Sequence, residues 1–496
     1  MKKKVMLLVF CFSLGFPSLM VSATETQQKP KVYTFNFTDI KTLANLVIPE
    51  KYNKFWDDII QAKKEGKTSE EIISMTKSKH GIDIDMYEFV LEEIGIATRL
   101  LSYVKDCMLN KKPVFELLFK GAATPPKGTT QYNDAVEAVL PALFTALKPY
   151  KDKFRLKLLL YGGGILGDEP DYIRKMKLGE IQFAGGTIAL GEMVASATCF
   201  FDLPFLFDYE PIKYYDECKY CQVDWILDKA APTINKLLEE KGFVLMGLAD
   251  GGSYCSIATK RAPVTKIEDL ENYTFFLFPS SRIAGEINEA MGFKKSIVCK
   301  IWDLPSLAAT GMLDSVICCW YWHIIIQATP YYKYVTDYPL RGFNTAIVLV
   351  RQQTFKKLVK VGRQFGPMMG MEKDEMLQIV RKLISTISTG VKIVLRRGLR
   401  MKEGEARRRL LKSGIYTMVK FPQSEIEKMK KRILPLYEKL ADRKGTYPTW
   451  FMNEILKYRA EYRKFKREGK LTSKWYDQCI FPDGYDPYQW SMNWGK

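Results

Sequence analysis

Between Lys157 and Phe205 the chain reads KLLLYGGGILGDEPDYIRKMKLGEIQFAGGTIALGEMVASATCFFDLPF, and this stretch narrows the choice of fold more than any other. An apolar run, Leu158 to Tyr161, ends at three glycines, and an acidic, proline-containing helix start follows at Asp168 to Asp171. That order reads as strand, tight turn, helix. A second strand, Ile181 to Ala184, closes on Gly185 and Gly186. The whole is a βαβ unit of a parallel sheet, with ligand-binding loops at the carboxyl ends of its strands.

Gly162, Gly164 and Gly167 also satisfy G-x-G-x-x-G, and Glu180 lies downstream at about the spacing of a ribose contact. Against a dinucleotide, Asp168, Glu169 and Asp171 bring negative charge to the helix N-terminus where a pyrophosphate would sit. A glycine turn capped by Asp168 uses the same residues without that repulsion and is the favoured reading.

The stretch YGGGILGDEPDYIRKMKLGEIQFA, followed by FFDLPFLF, resembles the solute receptors of TRAP (tripartite ATP-independent periplasmic) transporters, the DctP family. There a Y-P-G-G-x-L-G turn, a helix ending in L-G, a strand and an L-P-F element occur in this order. GFVLMGLADGG (Gly242 to Gly252), APVTKIEDLENYTF (Ala262 to Phe275) and LAATGMLD (Leu307 to Asp314) keep the order. FELLFKGAATPPKGTTQYNDAVEAV, from Phe115, is similar to the family's first strand, ligand loop and first helix. The resemblance covers about residues 114 to 440. It implies an α/β clamshell of the periplasmic-binding-protein kind, within a core of residues 113–470. Lobe 1 would take about 114–252 plus return segments, and lobe 2 about 253–334 plus C-terminal segments. Gln353 to Arg400 would pack along both, and Ser424 to Ala441 would be the closing helix.

By the same resemblance the ligand site takes Thr124, Gly186, Thr187, Tyr254, Phe276, Arg282, Trp302 and Cys318. Receptors of this family hold a substrate carboxylate with an arginine on the strand after E-D-L, because a guanidinium fork matches a carboxylate and stays charged when buried. In NYTFFLFPSSR that position falls on Phe276, a second family arginine falls at about Tyr254, and a polar residue after G-x-x-D is replaced by Cys318 or its neighbour. A buried carboxylate without a cationic partner is strongly disfavoured. Either Arg282 takes over or the ligand is largely apolar; the expectation is an apolar or amphipathic solute, with Arg282 meeting any acidic head group at the cleft mouth.

The rest of the chain adds segments to that core. Residues 1–23 read as a signal peptide: Lys2, Lys3 and Lys4, a mostly apolar run from Val5 to Leu19, and Val21-Ser22-Ala23 before a cleavage at Thr24. Residues 24–112 read as a small helical domain. Met86, Val90, Ile94, Ala97, Leu101, Val104 and Met108 form one apolar stripe, Thr68 and Glu71 make a capping-box pattern, and Lys51 to Lys64 reads as a further helix. Strand-like runs at Val114 to Phe119, Phe154 to Tyr161, Ile181 to Ala184, Phe243 to Leu248, Tyr273 to Phe278, Ser315 to Cys319 and Thr345 to Val350 alternate with helical patterns, which predicts parallel-sheet domains. Val316 to Ile326, the longest apolar candidate, suffices only for a buried strand. Residues 471–496 are an aromatic tail with Trp475, Trp490 and Trp494.

The formal net charge of +19 is unevenly distributed: Val391 to Lys470 holds 24 Lys and Arg against nine Asp and Glu. For an exported protein this reads as a solvated helical face, or attraction to an acidic partner or lipid surface, rather than to nucleic acid. Cys218 and Cys221 make a C-x-x-C within what reads as helix interior, so buried or locally paired thiols are expected rather than redox catalysis. Two histidines, His80 and His323, and no second C-x-x-C leave zinc without ligands.

The sequence therefore predicts a periplasmic solute receptor without cofactor or metal. Its partners would be a small organic acid or amphipathic ligand and the membrane subunits of a TRAP transporter, and a homodimer is compatible with it. A scaffold retaining the receptor fold is the alternative. An α/β enzyme is the weaker one, since no Ser/His/Asp order is present and acid-base chemistry would fall on carboxylates or lysines.

Overall fold

The structure, a computed structural model, describes residues 57–58, 61–62, 64–81, 114–127, 129, 139–366, 370–441 and 448–471. The leader, the Met86 to Met108 stripe and the aromatic tail lie outside the described residues. Helix α1 (Ser69–His80) begins where the capping box predicts: the Glu71 amide donates to Thr68 Oγ1 at 3.3 Å, and the Thr68 amide donates to Glu71 Oε2 at 2.7 Å.

The strands are β1 (Phe115–Ala123), β2 (Phe154–Tyr161), β3 (Phe183–Thr187), β4 (Phe243–Thr259), β5 (Thr274–Leu277), β6 (Lys295–Val298), β7 (Ser315–Cys318), β8 (Tyr334–Thr336), β9 (Gly342–Arg351) and β10 (Thr417–Val419). Eight of them form one sheet in the order β10-β8-β4-β9-β3-β1-β2, with β7 beside β4, while β5 and β6 pair separately. The helices that position the site are α2 (Leu140–Leu147), α3 (Glu169–Leu178), α4 (Gln222–Glu239), α5 (Trp320–Ile325), α6 (Gln352–Phe365), α7 (Glu375–Lys412), α8 (Gln423–Ala441) and α9 (Thr449–Arg467).

The βαβ unit is present. β1 lies parallel to both β2, with Phe115 opposite Phe154, and β3, with Gly121 opposite Phe183. Gly163, Gly164 and Gly167 adopt φ of 69°, 73° and 104°, the left-handed region that glycine enters without Cβ cost. Asp171 of the first turn of α3 accepts from the Asp168 amide, Pro170 sits inside the helix start, and Gly179 closes the helix at φ 84°. The buried face of α3 is Tyr172, Ile173 and Met176. Glu180 pairs with Lys175 on the surface.

The expectation of parallel-sheet domains holds for β1, β2 and β3 but is corrected beyond them: β9 runs antiparallel to β3 and to β4. Both are long, and β4 is buried along nearly all of its 17 residues. β4 pairs β9 from Phe243 opposite Arg351 to Asp250 opposite Thr345 and again from Tyr254 opposite Phe343 to Cys255 opposite Gly342; the end of β4 pairs β7 and β8. The register slips between Asp250 and Tyr254, a bulge where Gly251 and Gly252 sit. A Cβ on Gly252 would lie 2.1 Å from Cys319 Sγ, so this bend requires glycine. Trp322 Nε1 and Asn344 Nδ2 both donate to the Gly251 carbonyl, at 2.7 and 3.2 Å.

One face of the β1–β2–β4–β9 region is closed by α2, α6 and α7, with Phe119, Met246, Phe355, Ile379 and Leu383 all buried. The opposite face and lobe 2 share a second, larger core. Each fully buried large side chain contributes about 1.5–3 kcal/mol of transfer free energy. Across both regions runs α7, whose 38 residues span roughly 57 Å at 1.5 Å per residue.

Three further local expectations are corrected. Val316 to Ile326 is not one strand: β7 stops at Cys318, and α5 then buries Trp320, Trp322 and His323. The C-x-x-C is not helix interior. Cys218 holds a positive φ of 50°, and Cys221 is the N-cap of α4, a buried thiol whose pKa burial pushes up. The basic C-terminal segment is not simply a solvated face. Arg396 and Arg400 of α7 are buried, and Arg459, Arg463 and Lys466 of α9 pair with Asp208 and Glu210 of the chain itself.

Candidate ligand cleft

Where β4 and β9 cross from one lobe to the other, a cavity of about 140 Å³ opens. Thr124 and Thr187 line it from lobe 1, Phe276, Ser281 and Cys318 from lobe 2, and Arg341 and Asn344 from the crossing. A second cavity of about 150 Å³ adjoins it, and Thr124, Thr187 and Trp322 belong to the walls of both. Leu143, Leu158, Leu160, Val348 and Ile387 make the second one apolar.

Thr124, Thr187, Phe276 and Cys318, four of the residues named from the sequence, therefore line one cavity, and Gly186 lines the adjoining one. The other three stand elsewhere. Tyr254 is 2% exposed within an aromatic group, its ring 5.0 Å from that of Tyr209 and 5.1 Å from that of Phe343, and its hydroxyl donates to the Asp208 carbonyl. Trp302 sits behind the wall, its ring 6.2 Å from Trp322 and against the glycine turn at Gly164. Arg282 is exposed and outside both linings; its amide donates to Glu192 Oε1 at 2.9 Å.

The cation in the cleft is Arg341, which the sequence reading did not name. It precedes β9 between Leu340 and Gly342, and Nη1 donates to the Asp202 carbonyl at 3.2 Å. Among the described residues Arg341 forms no ion pair, and desolvation lowers its pKa against the opposing pull of Asp202. The Asp202 carboxylate lines the same cavity, with burial raising its pKa and Ser281 Oγ at 3.5 Å from Oδ2. Behind it, burial pushes Glu192, at the end of the short helix Ile188–Glu192, up to about 8, with the Asp202 charge adding to the shift.

Glu169 of α3 ties the lobes together across this cleft. It is 1% exposed, and it accepts from the Thr187 amide at 2.6 Å, from Thr187 Oγ1 at 3.1 Å and, from lobe 2, from Ser280 Oγ at 2.7 Å. Burial still outweighs these bonds and pushes its pKa up to about 7. Cys255 and Cys319 lie in the same wall with their sulfurs 3.7 Å apart as free thiols.

This arrangement can enclose a small solute, with charge at one end and apolar surface at the other. Among the described residues no group of three or more His, Cys, Asp or Glu is placed to hold a metal ion, and no helix is long and apolar enough to cross a membrane.

Solved structures share the fold. The sugar acid binding protein DctPAm of Advenella mimigardefordensis, in complex with galactonate, matches at a TM-score of 0.57 with 15% identity, over 71% of this chain and 100% of that one. DctP7, an extracytoplasmic solute receptor of Bordetella pertussis binding pyroglutamic acid, matches at 0.55 and 16%, over 69% and 99%. The ectoine-binding protein of the TeaABC TRAP transporter of Halomonas elongata matches at 0.54 and 16%, over 70% and 99%. No curated protein sequence matches the chain. The profile of bacterial extracellular solute-binding proteins, family 7, matches residues 126–297, which run from the loop after β1 into β6. Over this stretch of its α/β core the chain is similar to the DctP family of bacterial extracellular solute-binding proteins.

Proposed function

We propose that the protein is an extracytoplasmic solute receptor that closes two lobes around a small organic acid or amphipathic solute and presents it to the membrane subunits of a TRAP transporter. The observation that carries this reading is the cavity at the β4/β9 crossing, walled by residues of both lobes. Such a site is completed by closure, and the closed form is what a transporter recognises. The solved relatives bind galactonate, pyroglutamic acid and ectoine, so small polar solutes are the natural first probes. The apolar second cavity supports an amphipathic ligand among them.

A receptor of this kind resides outside the cytoplasm and binds without turnover. Thermal denaturation with such solutes should show a midpoint that rises with ligand concentration, and small-angle scattering at saturation should show compaction. Unaltered ligand without stabilisation, or identical scattering curves at demonstrated saturation, would count against a clamshell receptor. Residues 24–112 are proposed as a separable helical domain. A chain lacking Thr24 to Lys112 should still unfold cooperatively, and a molten product would make that segment part of the core.

A further inference from the structure

We infer that the ligand is an amphipathic zwitterion, an α-amino acid with an aliphatic or aromatic side chain, its carboxylate taken by Arg341, its ammonium by Asp202 and its side chain by the second cavity. The inference rests on the receptor reading and specifies the solute for that same site.

Two opposite charges line one cavity, yet they form no ion pair with each other or, among the described residues, with any other side chain. The contact between them runs from Arg341 Nη1 to the Asp202 main-chain carbonyl, which leaves the carboxylate oxygens uncommitted to the guanidinium. Leaving a desolvated charge without a counter-charge is costly. A solute carrying only a carboxylate satisfies Arg341 and brings a like charge beside Asp202. One carrying only an ammonium does the reverse. A zwitterion satisfies both.

A second, independent observation lies at the junction of the two cavities. Thr124 is 7% exposed and lines both, and its Oγ1 has no well-formed hydrogen bond, only the Tyr172 hydroxyl nearby. A buried hydroxyl without a well-formed hydrogen bond marks the place of a polar ligand atom, and this one sits where a head group gives way to its side chain. Beyond it the wall becomes Leu143, Leu158, Leu160, Val348 and Ile387. Among the described residues the one carboxylate there, Asp250, is already held by Arg400, at 2.6 Å from Nε. An apolar side chain fits such a wall, and a polyhydroxylated chain would leave its hydroxyls unpaired.

The test is isothermal titration of the full mature chain, freed of co-purifying solute by exhaustive dialysis, against a panel. It comprises L-leucine and L-phenylalanine, their deaminated acids 4-methylpentanoate and 3-phenylpropanoate, their decarboxylated amines isopentylamine and 2-phenylethylamine, and galactonate and succinate. The amino acids should bind tightest, with about 10- to 100-fold lost on removing either charge. L-norleucine should bind about fourfold more tightly than L-norvaline, for the one extra buried methylene. Asp202→Asn should remove the advantage of the amino acids over the acids, and Arg341→Met their advantage over the amines. Because the wild-type panel alone discriminates, a variant that fails to fold leaves the inference exposed to refutation. Acids binding as tightly as amino acids would overturn the role of Asp202. Galactonate or succinate binding more tightly than any apolar member would overturn the zwitterion and leave the receptor standing. Binding of none by a chain with a cooperative thermal transition would overturn both.

Discussion

The buried arginines Arg396 and Arg400 of α7 and the half-buried Arg341 at the head of β9 are treated differently. Arg400 is fully buried, and its fork is saturated: Nε donates to Asp250 at 2.6 Å and Nη2 to Asp224 at 2.7 Å, while the guanidinium lies 4.8 Å from the centre of the Tyr214 ring. Arg396, one turn earlier, donates to Asp228 at 2.9 Å. Arg341, in the cleft, has a main-chain carbonyl and no ion pair among the described residues. The difference separates a charge whose counter-charges are built into the fold from one held by a main-chain carbonyl. The first kind joins elements distant in sequence, here α7 to α4 and β4. The second, under the proposal made above, is where a solute's carboxylate would bind.

The comparison breaks most visibly at Arg400. Removing one member of a buried ionic group strands the others, so Arg400→Met should cost about 3–5 kcal/mol in urea denaturation; a loss below about 1 kcal/mol would mean that the network is not what holds α7 on the sheet. Glu169 sharpens it next. Its folded pKa, about 7, exceeds the ordinary 4.5, so its contribution to stability is complete below pH 4.5 and is lost as pH rises through 7. Glu169→Gln should flatten that part of the stability profile by up to about 3 kcal/mol relative to wild type. Parallel profiles for the two proteins would dismiss the cleft carboxylate as the source. The smallest effect is expected at Arg341. With no ion pair to lose, Arg341→Met should leave the unliganded protein unchanged or more stable by up to about 1 kcal/mol. A loss comparable to that at Arg400 would erase the distinction between the two sites.

The sequence made local features legible and long-range ones less so. The glycine turn, the capped start of α3 and the capping box at Thr68 are written within a few residues, and the structure follows them. The two-lobed α/β fold was legible through the order of several weak motifs. Arg341 was not: it reaches the cleft because β9 places Gly342 opposite Cys255, a pairing set by registers far apart in the chain. The available signal was an arginine set between apolar residues, Leu340 and Phe343, at the head of a strand-like run. The basic C-terminal segment misled for a related reason. Its charge is real, but Asp208 and Glu210, which take up part of it, lie some 250 residues upstream, with separations of 251 to 256 for the bonds formed.

The continuity of β4 has a consequence for inheritance. One strand supplies backbone partners of β9 on both sides of the bulge, and of β7 and β8 beyond it. Neither lobe owns a complete set of strands. The lobes therefore cannot be swapped between receptors as cassettes cut at a linker: a graft would have to splice within a hydrogen-bonded strand and preserve the slip at Gly251 and Gly252. A change of solute preference made without such a splice would have to come from side chains and loops projecting into the cavities.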